Sequence, residues 1–149
     1  MTLATRSTII PVTAIDLNDR AFVTTFGRAC GGLVSSVQEA GLINPPVLAA
    51  QPGKPTCRIV CGFLRVQALR QLGCEEFSAR VIQPGATEAE MLAWALHDNL
   101  ANRSFNAVEQ AGAIARLLCY LPENEVAGRW LPLLGLPPTM KSLDSCLRI

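Results

Sequence analysis

The sequence has little of what metal centres, disulfide scaffolds and membrane spans require. It contains one histidine, His97, and its six cysteines include no CxxC pair. Cys57 and Cys61 are separated by a strand-to-helix change, which argues against a zinc site built on them. No run approaches the roughly 18 consecutive apolar residues of a membrane span, and no signal-peptide apolar region follows the N-terminus. We therefore expect a reduced, cytoplasmic protein that makes no use of a membrane.

An excess of charge of one sign is also absent. The 149 residues carry 13 Lys and Arg against 12 Asp and Glu, a net charge of +1, and half of them are apolar. This composition is typical of a globular protein with a real core. A nearly neutral chain has no bulk attraction for nucleic acid, so any DNA contact must come from a local patch.

The patterns before residue 84 favour strands, and those after it favour helices. We predict strands at 9–12, 47–50, 57–61 and 77–82, a helix at 30–40, another after Gly62, and frayed residues 1–8. Pro11 indicates an edge strand, and the turn at 51–55 joins two strands into a hairpin. The predicted fold class is α+β, a small mixed β-sheet with packed helices, followed by a helical C-terminal segment. The predicted division is an α+β core at 1–84 and a helical segment at 85–149.

The C-terminal segment contains four predicted helices. Thr87 and Glu90 form a capping box that opens the first helix, which runs to about Ala101, and Asn106 caps the second. Periodicity places five side chains of the second helix inward: Val108, Ala111, Ile114, Ala115 and Leu118. The last two helices flank Gly135, a pattern that fits either a helix-turn-helix or a plain helical hairpin.

One stretch, residues 58–70, combines a strand, a glycine and a helix. Ile59 and Val60 are β-branched, Gly62 follows, and a helical pattern begins at Phe63. Glycine permits a sharp turn and a close ligand approach, and a helix N-terminus attracts anions. Arg65 can reach the same place. The stretch predicts a phosphate site, and the alternative is a plain strand-to-helix turn with a solvated arginine.

A second polar cluster spans residues 97–103 at a helix end. Asp98 and Asn99 offer oxygen ligands suited to Mg²⁺, and Arg103 offers a cation for phosphate. The alternative is a polar helix end followed by a loop. A lone histidine such as His97 is more often a surface or core residue than a ligand.

Three segments, in this order, resemble the N-terminal domain of ParB chromosome- and plasmid-partition proteins, which is also called the ParB-like nuclease domain. They are residues 36–47 (SVQEAGLINPPV), 59–68 (IVCGFLRVQA) and 98–111 (DNLANRSFNAVEQA). The resemblance runs from about Ile9 to Ala115. It implies a nucleotide-binding α+β fold, a pocket for CTP or another nucleotide with Mg²⁺, a following helix-turn-helix, and a homodimer that associates with DNA. The last residues, 145–149, are similar to the end of the family's recognition helix, so we expect this chain to be a segment of a longer protein.

The resemblance assigns site residues one by one. The nucleotide-binding positions it implies are Gly62, Phe63, Leu64, Arg65, Asn99 and Arg103, and the metal ligands it implies are Asp98 and Asn99. Phe63 and Leu64 replace the Glu-Arg of the family's phosphate motif, Gln67 replaces an arginine, and Asn102 stands for another. We expect weaker phosphate binding, with any NTP hydrolysis affected more than binding. Arg58 or Arg20 could compensate for the lost cations.

The expected function is that of a nucleotide-regulated, DNA-associating protein of the ParB type. Two alternatives stay open, a degenerate ParB-fold binding module without nucleotide chemistry and a nuclease or phosphotransferase on this fold. An enzyme needs a general base near the phosphates, and only Asp98 and Glu109 qualify. A sulfiredoxin-like reductase is disfavoured because Phe63 and Leu64 occupy the positions of that enzyme's cysteine and histidine.

Overall fold

The computed structural model describes residues 2–24 and 30–148, which divide into two compact units. The first lies within 2–23 and 30–86, and the second contains Thr24 and 87–148. The elements of the first unit are β1 (Thr5–Pro11), a 3₁₀ turn (Val12–Ala14), α1 (Gly31–Ala40), β2 (Val47–Ala50), β3 (Cys57–Cys61), α2 (Phe63–Gln71) and β4 (Glu76–Ile82). Those of the second are α3 (Glu88–Asn102), α4 (Ala107–Leu117), α5 (Glu123–Glu125), a π-helical turn (Val126–Trp130), α6 (Leu131–Leu133) and α7 (Met140–Leu147).

The four strands form one mixed sheet in the order β1-β4-β2-β3. β1 pairs antiparallel with β4, β2 pairs antiparallel with β3, and β2 runs parallel to β4. The α+β class and the edge position of the strand that contains Pro11 are confirmed. The prediction that residues 1–8 are frayed is wrong from Thr5 onward. β1 begins there, because β4 pairs with it along its whole length, from Ile82 opposite Thr5 to Glu76 opposite Pro11.

Alternation in β4 shows which face of the sheet is covered. Phe77 and Ala79 are buried and Ser78 and Arg80 are exposed, as the period of two predicts. The core cluster of this unit draws on strands, on α1 and on α2: Ile15, Val37, Leu48, Ile59, Val66, Leu69, Phe77 and Ala79. β3 and α2 both contribute apolar side chains to this core, so the turn that joins them is held at the edge of the core.

α4 buries only part of the face that periodicity predicted. Ile114 is buried as predicted, but Val108 is 59% exposed and Ala115 is also exposed. Ala113 and Leu117, which the pattern did not place inward, are buried. Glu109 is not among the five side chains that periodicity places inward. In the structure it is buried, and its Oε2 accepts from Nη1 of Arg103 and from the N–H of Asn106.

Both predicted caps of the second unit are present. Thr87 with Glu90, and Asn106 with Glu109, form capping boxes that open α3 and α4. Later in this unit, the N–H of Leu131 donates to the carbonyl of Val126, a π-type bond. Pro132 lies next in the chain, and its ring cannot follow a regular α-helical turn without displacing the carbonyl four residues earlier.

The last helices flank Gly135, which has a φ of 80°. Thr139 caps α7 by accepting from the N–H of Ser142 at 3.1 Å. A role for these helices as a DNA-reading helix-turn-helix stays a prediction. Within the described residues, none of the helices is both long enough and apolar enough to cross a bilayer.

Candidate functional site

The turn between β3 and α2 has the geometry of an anion site. Gly62 adopts φ 92° and ψ 35°, the left-handed region that favours glycine, and caps the helix. Its carbonyl accepts from the N–H of Val66 at 3.1 Å, so the helix begins here. The first N–H groups of a helix have no acceptor within it, and with the helix dipole they favour a phosphate. Phe63 and Leu64 are half-buried in this first turn.

Arg65 lies across the glycine and ties α2 to the start of β2. Its Nη1 donates to the carbonyl of Asn44 at 2.6 Å and to that of Pro45 at 3.3 Å. A Cβ on Gly62 would lie only 2.9 Å from Nε of Arg65. Two independent reasons therefore favour glycine at position 62. Its φ is positive, and a side chain there would collide with the guanidinium of Arg65. The cation predicted to meet phosphate also has a structural role in this protein.

A depression of about 210 Å³ runs beside α2 from its first residue. It is lined by Leu17, Arg20, Phe63, Gln67, Arg70 and Gln71. The guanidinium carbon of Arg20 lies 4.7 Å from the ring centroid of Phe63, a cation–π distance. The depression thus offers Arg20 beside the first turn of α2, and it offers Arg70 in the last turn, with the amides of Gln67 and Gln71 on the same side of the helix.

Of the two arginines that could compensate for the lost cations, Arg58 is used elsewhere. Its side chain is buried, its Nε lies 3.0 Å from Oδ2 of Asp19, and its guanidinium lies 4.8 Å from the ring centroid of Phe22. Burial would raise the pKa of Asp19, but hydrogen bonds from the N–H of Ala21, from Gln51 and from Arg58 outweigh it. Together with the charge of Arg58 they hold the pKa below its ordinary value. The Asp19 carboxyl is therefore ionised near neutral pH.

The second group of predicted residues lies at the end of α3, in the second unit. Asn99 donates from Nδ2 to the carbonyl of Ala95 at 2.9 Å, which leaves its amide oxygen as an acceptor. Asp98 precedes it on the same helix. One carboxylate with one amide oxygen suits Mg²⁺, which takes its remaining ligands from water and substrate phosphates. The described residues contain no cluster of three or more His, Cys, Asp or Glu side chains able to hold a metal.

Arg103 is engaged within its own unit. Its Nη1 donates to Oε2 of Glu109 at 2.7 Å, and the two side chains are only 15% and 1% exposed. The guanidinium also lies 4.8 Å from the ring centroid of Phe105. Oε2 of Glu109 further accepts from the N–H of Asn106 at 3.0 Å. The contacts of Glu109 are those of a cap and ion-pair partner, so they do not support it as a general base.

His97 contacts an aromatic ring. The ring centroids of His97 and Trp130 are 5.1 Å apart. Desolvation at this contact, followed by the charge of Arg129, lowers the pKa of His97 below its usual value. Its neutral imidazole packs on the ring, in keeping with a structural residue.

Sequence reasoning did not single out Arg70 and Gln71. The signal was available, because residues 63, 67, 70 and 71 lie on one face of a helix at steps of three and four. Phe63 had already been assigned to the site, and its helical neighbours share its surroundings.

No family model matches the chain, and no curated protein matches its sequence. Solved structures do match. One is the C-terminally truncated chromosome-partitioning protein ParB from Caulobacter crescentus complexed with CTP-gamma-S, at 18% identity and a TM-score of 0.55, covering 96% of this chain and 77% of that one. Another is a Pnob8-like ParB-N domain, at 12% identity and a TM-score of 0.64, covering 85% of this chain and 50% of that one.

At these identities the comparison concerns the backbone alone. The mixed sheet agrees with the two structural matches, and so does the glycine turn into α2. The chain has the fold of ParB N-terminal domains.

Proposed function

We propose that this protein binds CTP or another nucleotide, with its phosphates at the first turn of α2. The observation that carries the proposal is the left-handed Gly62, which starts a helix directly beside a depression lined by Arg20 and Arg70. Helix N–H groups and two guanidinium groups are the donors that a polyphosphate requires. The fold match to a ParB complexed with CTP-gamma-S supports a nucleotide as the ligand.

Mg²⁺ belongs to this proposal as a partner of the phosphates. Asp98 and Asn99 would hold it, and its role when bound is to neutralise phosphate charge. Arg103 has only an indirect part, because its guanidinium is paired with Glu109.

The proposal concerns nucleotide binding, and hydrolysis is not part of it. Phe63 replaces the glutamate of the family's phosphate motif, and the carboxylate of Glu109 is held by Arg103 and a cap. General base catalysis needs a group within reach of the attacking water. Asp98 is the remaining candidate, and it is already proposed as a metal ligand.

Association with DNA and with a second copy of the chain completes the proposed function, in which the nucleotide regulates both. The balanced charge makes strong DNA binding by residues 1–149 unexpected, so the nucleic-acid contact should depend on a local surface or on further sequence.

A second candidate is a degenerate binding module that keeps the fold without nucleotide chemistry. One observation favours it: both arginines carried over from the family's motifs are bonded within the protein, Arg65 to backbone carbonyls and Arg103 to Glu109. In this reading Arg20 and Arg70 are ordinary surface cations.

A thermal-shift panel of CTP, ATP, GTP and inorganic phosphate, each with Mg²⁺, separates the two candidates. A ligand at one hundred times its Kd stabilises a protein by about 2.7 kcal/mol, which corresponds to roughly 5–11 °C in a chain of this size. The first candidate predicts such a shift with CTP or another nucleotide, reduced in Arg20→Ala and Arg70→Ala. The absence of a shift with every ligand would select the degenerate module.

A further inference from the structure

A buried polar network anchors the loop that carries Arg20. Gln51, at the end of the β2–β3 hairpin, donates from Nε2 to Oδ2 of Asp16 at 2.9 Å and to Oδ2 of Asp19 at 3.0 Å. The hydroxyl of Thr56 donates to Oε1 of the same glutamine. Two carboxylates from one loop thus converge on a single buried amide, which holds the loop against the hairpin.

Arg58 completes the network from β3. Its Nη2 donates to Oδ1 of Asp19 at 3.3 Å, and its Nε lies at an ion-pair distance of 3.0 Å from Oδ2, outside hydrogen-bond geometry. Both side chains are largely buried. The carboxylate also accepts from the N–H of Ala21 at 3.1 Å. A buried ion pair is weak evidence of stabilisation, since apolar side chains of similar volume often replace one without loss. Together with the bonds from Gln51 and Ala21, this contact holds the Asp19 carboxylate in one place.

Because the Asp19 side chain is held in place, the backbone of the next residue, Arg20, is held as well. Arg20 follows Asp19, and its guanidinium carbon lies 4.7 Å from the Phe63 ring centroid at the start of α2. Arg20 is exposed and lines the depression beside the glycine turn. A long exposed side chain loses rotamer entropy on binding a ligand, and a fixed backbone and a ring to lie on reduce that loss.

We infer that the Asp19–Arg58 pair is a positioning device that aims Arg20 at the phosphates of the bound nucleotide. The inference rests on the proposed function. It adds that two residues, neither of which touches the nucleotide, raise the affinity for it. Asp19 and Arg58 set the loop, Phe63 supports the guanidinium, and Arg20 makes the phosphate contact.

The test is a double-mutant cycle on affinity, measured by calorimetric titration of CTP with Mg²⁺ into the full chain. Arg20→Ala should weaken binding about tenfold to a hundredfold. Asp19→Asn, which keeps the shape and removes the charge, should weaken it about tenfold with Arg20 present and by less than twofold in the Arg20→Ala background. Arg58→Lys keeps its charge and loses the Nη2 bond to Asp19, so it should show the same dependence on Arg20.

Asp16→Asn is the matched control, because Asp16 binds the same glutamine but does not adjoin Arg20. It should leave the affinity within about twofold. An unfolding curve for each variant identifies any that fails to fold. If Asp19→Asn does not fold, Arg58→Lys takes its place in the cycle. A merely structural pair would weaken binding equally with and without Arg20, which would overturn the inference.

Two further outcomes separate this inference from the proposed function. Nucleotide binding by the wild-type chain with unchanged affinity in both Asp19→Asn and Arg58→Lys would overturn the positioning role alone. No binding of CTP, ATP or GTP by the wild-type chain would overturn the proposed function and this inference with it.

Discussion

Removing the Arg65 side chain should destabilise the protein even when no ligand is bound. Its guanidinium bonds the carbonyls of Asn44 and Pro45 and thereby joins α2 to the start of β2. A hydrogen bond from a charged donor contributes about 1.5–3 kcal/mol when well buried. Arg65 is half-buried, so screening reduces this and we expect Arg65→Ala to lower the free energy of unfolding by about 1–2 kcal/mol.

The measurement is urea unfolding of the wild type, Arg65→Ala, Arg65→Lys and Arg6→Ala. In a parallel thermal unfolding experiment, a loss of 1–2 kcal/mol lowers Tm by about 2–8 °C in a chain of this size. Arg65→Lys keeps one donor and should lose about half as much. Arg6 is exposed on the edge strand, and its replacement should stay within about 0.5 kcal/mol.

The same variants test the phosphate role of Arg65. Titration with CTP and Mg²⁺ should show a further tenfold to hundredfold loss of affinity in Arg65→Ala. Unchanged stability in Arg65→Ala would refute the carbonyl contacts as a stabilising link. Lower stability with unchanged affinity would make Arg65 purely structural and leave the phosphate contacts to Arg20 and Arg70.

Three further predictions concern the second unit and DNA. Glu109→Ala should lower the free energy of unfolding by about 3–5 kcal/mol, because it removes the carboxylate that neutralises the charge of the shielded Arg103; a loss under 1 kcal/mol in urea unfolding would contradict this. The lowered pKa of His97 means that its neutral form stabilises the fold above pH 6.5 and that this contribution is lost as the pH falls through the lowered pKa. The stability of the wild type relative to His97→Gln should therefore fall from pH 8 to pH 5, and a constant difference would refute it. Duplex DNA should bind residues 1–149 weakly and less well with added salt, so nanomolar, salt-insensitive binding in a fluorescence titration would overturn the charge argument.

The local features of the fold could be predicted from the sequence because each depends on neighbouring residues. Gly62 marks a turn, Thr87 and Asn106 mark caps, and alternation marks β4, all within a few positions of the features they explain. Periodicity was wrong for part of α4, where a charged side chain is buried. Nothing within the helix signals that Glu109 has a partner six residues earlier, Arg103.

The sequence predicts where the candidate site lies, but it does not reveal all of the residues that surround it. The glycine, the helix start and Arg20 could be named, but the acceptors of Arg65 lie about 20 residues away and come together only when β2 pairs beside β3. Arg58 shows the same limit. Its sequence position beside the phosphate motif suggested a cation for the ligand, and the folded chain pairs it with Asp19, 39 residues away.

Amide chemical-shift mapping of the ¹⁵N-labelled chain during titration with CTP and Mg²⁺ tests the central claim most directly. The claim is that phosphates bind at the first turn of α2, so the largest shifts should fall on the backbone amides of Gly62, Phe63 and Leu64, with smaller ones at Arg20. Arg20→Ala should move the midpoint to higher CTP concentration. Saturable shifts elsewhere that spare these amides, or no shifts at all, would contradict the account.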